Sequence, residues 1–178
     1  MHHQPPAAGT VAVVVGNPKP ASRTREAAVH VAREIAGREP DLVVDLAELG
    51  VRLLDWHDPE VSRLVADVGD ADLVVVASPT YKATYTGVLK LFLDRFAGGT
   101  GLSGVAVPLM LGAGPAHALA PEVALRPLLT ELGAVVPVRA LYVLDTRYDL
   151  PEAYADWLAV AGPVLRSFLG RRPLEGVS

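Results

Sequence analysis

The 178 residues include no cysteine, which excludes disulfides, thiolate nucleophiles and cysteine-held metals or clusters, and leaves any redox chemistry to a borrowed cofactor. No stretch approaches the roughly 20 uninterrupted apolar residues that span a bilayer. A soluble, cytoplasmic protein without a membrane partner is therefore expected. Met1 to Gly9, with His2, His3, Pro5 and Pro6, lacks the basic flank, apolar stretch and cleavage site of a secretory leader and reads as a flexible tail. Lys and Arg number 16 against 20 Asp and Glu, a formal charge of -4, and the charges are interspersed. With no basic block to follow a phosphate backbone, nucleic acid is not an expected partner. No histidine, aspartate and glutamate group has metal-ligand spacing, so no metal is expected, and His57-Asp58-Pro59-Glu60 reads as a helix start.

What the chain does have is apolar runs in a regular rhythm. Its length suits one well-filled α/β core better than two thin ones, so residues 10-178 are expected to form a single domain. Five short runs rich in β-branched residues, Val11-Val15, Leu42-Leu46, Leu73-Ala77, Val105-Leu111 and Val138-Leu144, alternate with segments of helical period. That alternation predicts a parallel sheet covered on both faces. Ala27, Ala28, Val31, Ala32, Ile35 and Ala36 share one helical face that Gly37 stops, and further helices are expected over Pro59-Val68, Gly87-Phe96, Ala116-Leu132 and Pro151-Leu169. Pro108 is expected to mark a bulge, and Pro127 to bend the fourth helix by clashing with the Val123 carbonyl. Five such units suggest a doubly wound sheet of order 2-1-3-4-5, whose ligands sit beyond the carboxyl ends of strands one and three.

The loops at those ends carry the chemistry. Gly16-Asn17-Pro18-Lys19-Pro20-Ala21-Ser22-Arg23-Thr24 is neither G-x-G-x-x-G nor a Walker loop, which disfavours a nicotinamide domain of the usual kind. It does bring Ser22 and Thr24 hydroxyls and free N–H groups to a helix start, where a terminal phosphate binds. Arg23 and Arg25 oppose the helix dipole there unless an anion is present. The plainer reading is that Ser22 caps the helix and the arginines extend into water. After strand three, Ser78-Pro79-Thr80-Tyr81-Lys82-Ala83-Thr84-Tyr85-Thr86-Gly87 suits a surface that holds a flat ring; the alternative is an ordinary turn with Thr86 as cap. After strand four, Gly112-Ala113-Gly114-Pro115 offers backbone with little side-chain bulk, and the following His117 reads more readily as a structural residue than a catalyst.

Pro79-Thr80-Tyr81-Lys82-Ala83-Thr84-Tyr85-Thr86-Gly87-Val88-Leu89-Lys90 resembles the P-x-Y-K-x-[ST]-Y-[ST]-G-x-L-K segment of the NADPH-dependent FMN reductases, in the branch serving alkanesulfonate-type monooxygenases. Gly112-Ala113-Gly114-Pro115-Ala116-His117 and Ala124-Leu125-Arg126-Pro127-Leu128 are similar to that branch's glycine loop and following helix. Departures are Asn17 for a usual serine, Ala113 for a usual glycine, and Val123 where some relatives carry an aromatic or histidine.

The resemblance implies a flavodoxin-like fold and hydride transfer from NADPH, or NADH, to FMN, with no side-chain catalyst. It implies that Ser22, Arg23 and Thr24 meet the FMN phosphate, that Asn17 is a further cofactor-binding residue of that loop, and that Pro79, Thr80, Tyr81, Lys82, Ala83, Thr84, Tyr85, Gly112, Ala113 and Gly114 hold the ring. It also implies a homodimer or homotetramer and a partner flavin-dependent monooxygenase. Leu89, Leu91, Phe92, Leu93, Leu125, Leu128 and Leu129 offer more apolar surface than one subunit is expected to bury. Alternatives are an FMN-bound quinone, azo or metal reductase and a non-enzymatic flavin-binding electron carrier.

Overall fold

The computed structural model describes residues 9–169. The expected tail therefore lies outside the described residues except for Gly9. Five parallel strands stand in the order β2-β1-β3-β4-β5, the doubly wound order anticipated above. They are β1 (Val11–Val15), β2 (Leu42–Asp45), β3 (Leu73–Pro79), β4 (Val105–Gly112) and β5 (Leu141–Leu144). The helices are α1 (Arg23–Ala36), α2 (Leu46–Leu49), α3 (Pro59–Gly69), α4 (Gly87–Leu93), α5 (Arg126–Glu131) and α6 (Glu152–Arg166). Among the described residues no helix is long and apolar enough to cross a membrane.

Alternate residues of the central strands serve two cores, because successive side chains of a strand point to opposite faces. Val11, Val13 and Val15 of β1, with Val75 and Ala77 of β3, pack against Ala27, Val31 and Ile35 of α1 and Tyr154 and Leu165 of α6. Ala12, Val14, Val74 and Val76 pack on the other face against Leu64 and Val68 of α3 and Leu89, Phe92 and Leu93 of α4. Each fully buried Val, Leu or Phe contributes about 1.5–3 kcal/mol. The surplus apolar surface expected of the chain is largely consumed here: Leu89, Phe92, Leu93, Leu125 and Leu129 are fully buried within the single chain, and Leu128 is half-buried. Of that group only Leu91 is substantially exposed, at 40%.

Other expectations are corrected by tertiary contacts. The second strand stops at Asp45 rather than Leu46, because the Asp45 carboxylate accepts from the Ala47 N–H and starts the short α2, which a 3-10 turn over Gly50–Leu54 continues. Neither element was anticipated. Strand three runs on to Pro79 and pairs with Leu111 of β4, so β3 and β4 project past the end of β1. The third-loop helix ends at Leu93 rather than Phe96, and the last helix runs over Glu152–Arg166 rather than to Leu169, with Pro163 inside it.

Pro108 makes no bulge: the register from Leu73↔Val105 to Pro79↔Leu111 is unbroken. The Val105 N–H donates to β3's side and the Ala106 N–H to Val135 on the other. By that alternation the N–H missing at Pro108 belongs to the outer side, before β4 meets β5 at Leu109↔Leu141. Pro127 does interrupt its helix, through a change of helix type. A 3-10 turn over Pro115–His117 and a π turn over Pro121–Leu125 precede α5, and the π turn places Pro127 in the first turn of α5, where a missing donor costs least.

The last strand starts at Leu141 rather than Val138 because side chains take the backbone groups that pairing would have used. Arg126 donates to the carbonyls of Val136 and Val138, and the Glu122 carboxylate accepts from the Ala140 N–H at 2.9 Å. Burial raises the Glu122 pKa, but the hydrogen bonds from Arg126 and Ala140 and the neighbouring guanidinium charges outweigh it and hold the group below its ordinary 4.5. Arg126→Met should therefore lower stability by about 1–3 kcal/mol, read as a fall in the urea midpoint at unchanged m-value. Because the folded pKa is depressed, this contribution is complete above pH 4.5 and is lost as pH falls through the folded value. The gap between parent and variant should close correspondingly in acid.

Candidate active site

The carboxyl ends of β1, β3, β4 and β5 open on one cleft of about 570 Å3. That lies within the range of small-molecule sites, roughly 300–1,000 Å3. Its floor at one end is the turn from β1 into α1. There Ser22 is extended (φ -83°, ψ 163°) and its Oγ accepts from the Arg25 N–H at 3.3 Å, so the capping reading of Ser22 is correct. Capping uses one lone pair and leaves the hydroxyl proton free to donate. The same holds for Thr24, whose Oγ1 accepts from Asn17 Nδ2 at 3.1 Å. The backbone N–H groups of Arg23 and Thr24, orphaned at the helix start, have no acceptor among the described residues. Orphan N–H groups and two hydroxyl donors on a helix N-terminus form a receptor for an anion.

Asn17 serves this turn from within. Its Oδ1 accepts from the Lys19 N–H at 2.9 Å while its amide reaches Thr24, so it ties the loop to the helix. Ala21 is held in the left-handed region (φ 48°), and its N–H donates to the buried Asp45 carboxylate at 3.1 Å. Arg23 reaches across to the end of β5. Its guanidinium lies 3.8 Å from the Asp145 carboxylate, 3.5 Å from the Asp145 carbonyl oxygen and 5.7 Å from the Tyr148 ring centre. Tyr148 is itself placed by Tyr154, whose hydroxyl donates to the Tyr148 carbonyl. Burial first, then the charges of Asp149 and Glu26, push the Tyr154 phenol up to about 12, so it stays a donor near neutral pH.

The other end of the cleft is nearly bare of charge. Pro79, Thr80 and Tyr81 form one wall and Leu111, Gly112 and Ala113 the other. Thr80 Oγ1 is buried there without a hydrogen-bond partner in the protein, the kind of group that a ligand or water satisfies. Beyond Thr80 the chain turns back: Tyr81 and Thr84 exchange backbone bonds at 2.9 and 3.2 Å around Lys82 (φ 52°) and Ala83 (φ 67°). A two-residue turn with both centres left-handed favours Asn-Gly. Lys-Ala in its place stores strain, at about 1 kcal/mol or more per residue.

Gly112 lacks a side chain for a reason the sequence did not suggest. A Cβ there would lie 2.0 Å from the Tyr142 hydroxyl, which crosses it to donate to the Gly114 carbonyl at 2.6 Å.

Of the residues singled out in the sequence, Asn17, Ser22, Arg23, Thr24, Pro79, Thr80, Tyr81, Gly112 and Ala113 line the cleft together. Lys82, Ala83, Thr84, Tyr85 and Gly114 stand outside its lining, and Tyr85 packs against the α4-side core. Lys19, Pro20, Ala21, Leu111 and Asp145 line it without having been anticipated. His117 is exposed in the turn after β4, and no group of three potential metal ligands occurs among the described residues.

The family model for NADPH-dependent FMN reductase matches residues 10–149, which include every residue lining this cleft. The chain belongs to that family. A relative named FMN reductase (NADPH) from Pseudomonas putida KT2440 is 32% identical over 97 residues, 54% of this chain, and the match spans about half (49%) of that protein's length. One of the same name from Escherichia coli K12 is 26% identical over 141 residues, 77% of this chain and 74% of the relative. The solved apo structure of the NADH:FMN oxidoreductase EMOB superposes with a TM-score of 0.83 at 28% identity, covering 93% of this chain and 92% of that one.

In this FMN reductase family member the two ends of the cleft are joined at one buried contact. Thr86 caps α4 by accepting from the Leu89 N–H at 3.1 Å, and its hydroxyl donates to the Gly16 carbonyl at 2.5 Å. Thr86→Val removes the cap and leaves a buried carbonyl unpaired at nearly constant volume. A loss of about 2–4 kcal/mol is expected from those two terms, measurable by urea unfolding.

Proposed function

We propose that the chain is an NAD(P)H-dependent FMN reductase whose flavin is a diffusible substrate, supplying reduced FMN to a flavin-dependent monooxygenase of the alkanesulfonate type. The observation that carries the reading is the composition of the cleft. Free N–H and hydroxyl donors with Arg23 at one end face flat, uncharged walls and an unpartnered Thr80 hydroxyl at the other. FMN has the matching shape, a dianionic phosphate at one end of a ribityl chain and a planar ring at the other.

When bound, FMN and the nicotinamide supply the hydride transfer between them, from C4 of the nicotinamide to N5 of the flavin. The chain's own residues bind and orient. Ser22, Arg23 and Thr24 hold the phosphate against the positive end of α1. Pro79, Thr80, Gly112 and Ala113 position the ring edge, and Tyr81, 49% exposed at the rim, is placed to limit water access. No residue of the cleft is assigned a proton-transfer role, and orientation of the two reactants is the contribution assigned to the protein.

The same proposal includes a homodimer or homotetramer, for which Leu91 is the one substantially exposed side chain of the group the sequence pointed to. Leu119, 65% exposed, and Val123 within the π turn, 68% exposed, are further apolar side chains that one subunit leaves open. As to the reductant, the relatives' names include both NADPH and NADH.

The test is steady-state oxidation of NADPH and of NADH by the purified protein. Turnover should require added flavin, with FMN preferred to riboflavin; equal apparent affinity for the two removes the phosphate assignment. Protein that purifies yellow, retains its flavin and turns over a quinone or azo dye without added FMN removes the diffusible-substrate reading.

Arg23→Ala should weaken FMN by roughly 10- to 150-fold if its charge-assisted contact is worth about 1.5–3 kcal/mol, and leave riboflavin nearly unchanged. A change within twofold for both flavins identifies Arg23 as a surface residue, and an equal loss for both indicates damage to the loop.

A further inference from the structure

The cleft contains a charge of the wrong sign for the phosphate end of its ligand. Asp145 lines it with Ser22, Arg23 and Thr24, and its carboxylate faces the one guanidinium among those lining residues. Neither partner is sequestered: the side chains are 60% exposed for Arg23 and 37% for Asp145. The pair is therefore a poor source of stability, since exposed ion pairs separated by nearly 4 Å contribute little. The backbone of Asp145 is nonetheless fixed, because its N–H donates to the Gly112 carbonyl at 2.9 Å and extends the β4–β5 ladder by one residue. A weak ion pair on a rigid mount, inside an anion site, calls for a reason other than folding.

We propose that Asp145 is a specificity-determining residue that weakens the hold on phosphorylated flavin and keeps it exchangeable, by occupying Arg23 when no phosphate is present and facing the phosphate when one is. This rests on the reading of the cleft as an FMN site. The other charges in the neighbourhood do not substitute for it. Lys19, which also lines the cleft, is exposed and carries the attractive sign. Asp45 is buried and its two oxygens are occupied by the N–H groups of Ala21 and Ala47, so it orders the loop. The Tyr148 face stabilises the Arg23 cation in the position it takes toward Asp145, not toward the helix start. An incoming phosphate must draw Arg23 away from both partners and then share the cleft with the Asp145 carboxylate. Each contribution lowers affinity for FMN and leaves riboflavin untouched, because riboflavin has no phosphate. A reductase that hands its product to another enzyme needs a short residence time, and affinity differences within one site fall mainly on the off-rate.

The test is equilibrium titration of parent and Asp145→Asn with FMN and with riboflavin, followed by flavin fluorescence, and stopped-flow displacement of bound FMN. Asparagine is isosteric and keeps the backbone bond to Gly112. Removing the charge should tighten FMN by roughly 3- to 30-fold, slow its release by a similar factor, and leave riboflavin within about twofold. Unchanged or weaker FMN binding, or equal tightening of both flavins, overturns the inference. A parent that prefers FMN and a variant with the same preference overturn it alone, whereas a parent with no preference for FMN overturns the phosphate reading as well. If the asparagine variant melts at a different temperature from the parent, Asp145→Ser must give the same FMN-selective gain for the proposal to stand.

Discussion

The Thr86 hydroxyl lies 2.5 Å from the Gly16 carbonyl, and both loops of the site are placed through that contact. Gly16 follows β1, its N–H donating to the Ala77 carbonyl at 2.7 Å, so the bond fixes the start of the β1–α1 turn to the start of α4. The approach is close enough that a Cβ on Gly16 would lie 2.5 Å from Leu89 Cβ. Ser78 completes the junction by accepting from the Thr86 N–H at 3.1 Å and donating to the Pro79 carbonyl. With Gly16, Ser78 and Thr86 all buried, loss of any one bond exposes an unpaired group to a medium without water, where it costs about 1–3 kcal/mol. The two ends of the cleft therefore cannot shift independently. A ligand that spans them meets a separation set by the fold.

Much of this was legible in the chain because its signals are local. The runs Val11-Val15, Leu73-Ala77 and Val105-Leu111 have strand length and composition, and their alternation with helical segments implied the 2-1-3-4-5 sheet before any contact was known. Ser22, Asp58 and Gly37 announced helix ends with the residue types that hydrogen bonding and a left-handed φ demand, and each serves that end. What could not be read depends on partners far along the chain. Asp145 follows a strand like any other exposed acid, and its meaning lies in Arg23, 122 positions away. Val138 has the β-branched character of a strand residue, yet its carbonyl is taken by Arg126 on another element. Leu89, Phe92 and Leu93 looked like surplus because the second core, on the α3 and α4 face, could not be measured from periodicity. Local propensity is a weak prior wherever tertiary contacts compete for the same backbone groups.

The ends of the cleft also differ in how their shape is maintained. At the α1 end the turn is cross-linked from three directions: Asn17 from within, Asp45 from the adjacent strand, and Ser22 from the helix cap. Apart from the Asp145 carboxylate, the side-chain acceptors of that turn are engaged, and what else remains free is donors. Such a site needs little rearrangement to receive an anion, so little of the interaction energy is lost to ordering. At the β3–β4 end the hairpin at Lys82 and Ala83 holds two non-glycine residues at positive φ, and the Thr80 hydroxyl has no partner. Strain and an unsatisfied polar atom raise the energy of the ligand-free state at that end, and contacts made on binding can recover part of it.

That asymmetry bears on why a flavin site would combine strong and weak features. On the proposed reading the Asp145 carboxylate lowers affinity at the α1 end, whereas strain relieved on binding at the hairpin acts in the opposite direction, and neither disturbs the strand geometry that sets the walls. Orientation depends on where the walls stand, and those are set by β3 and β4 through an unbroken ladder from Leu73↔Val105 to Pro79↔Leu111. Affinity depends on charge and strain at the rims, which sit on loops. Placing the two properties on different elements lets one be tuned with little change in the other, as the exchangeable-flavin role proposed for this cleft requires.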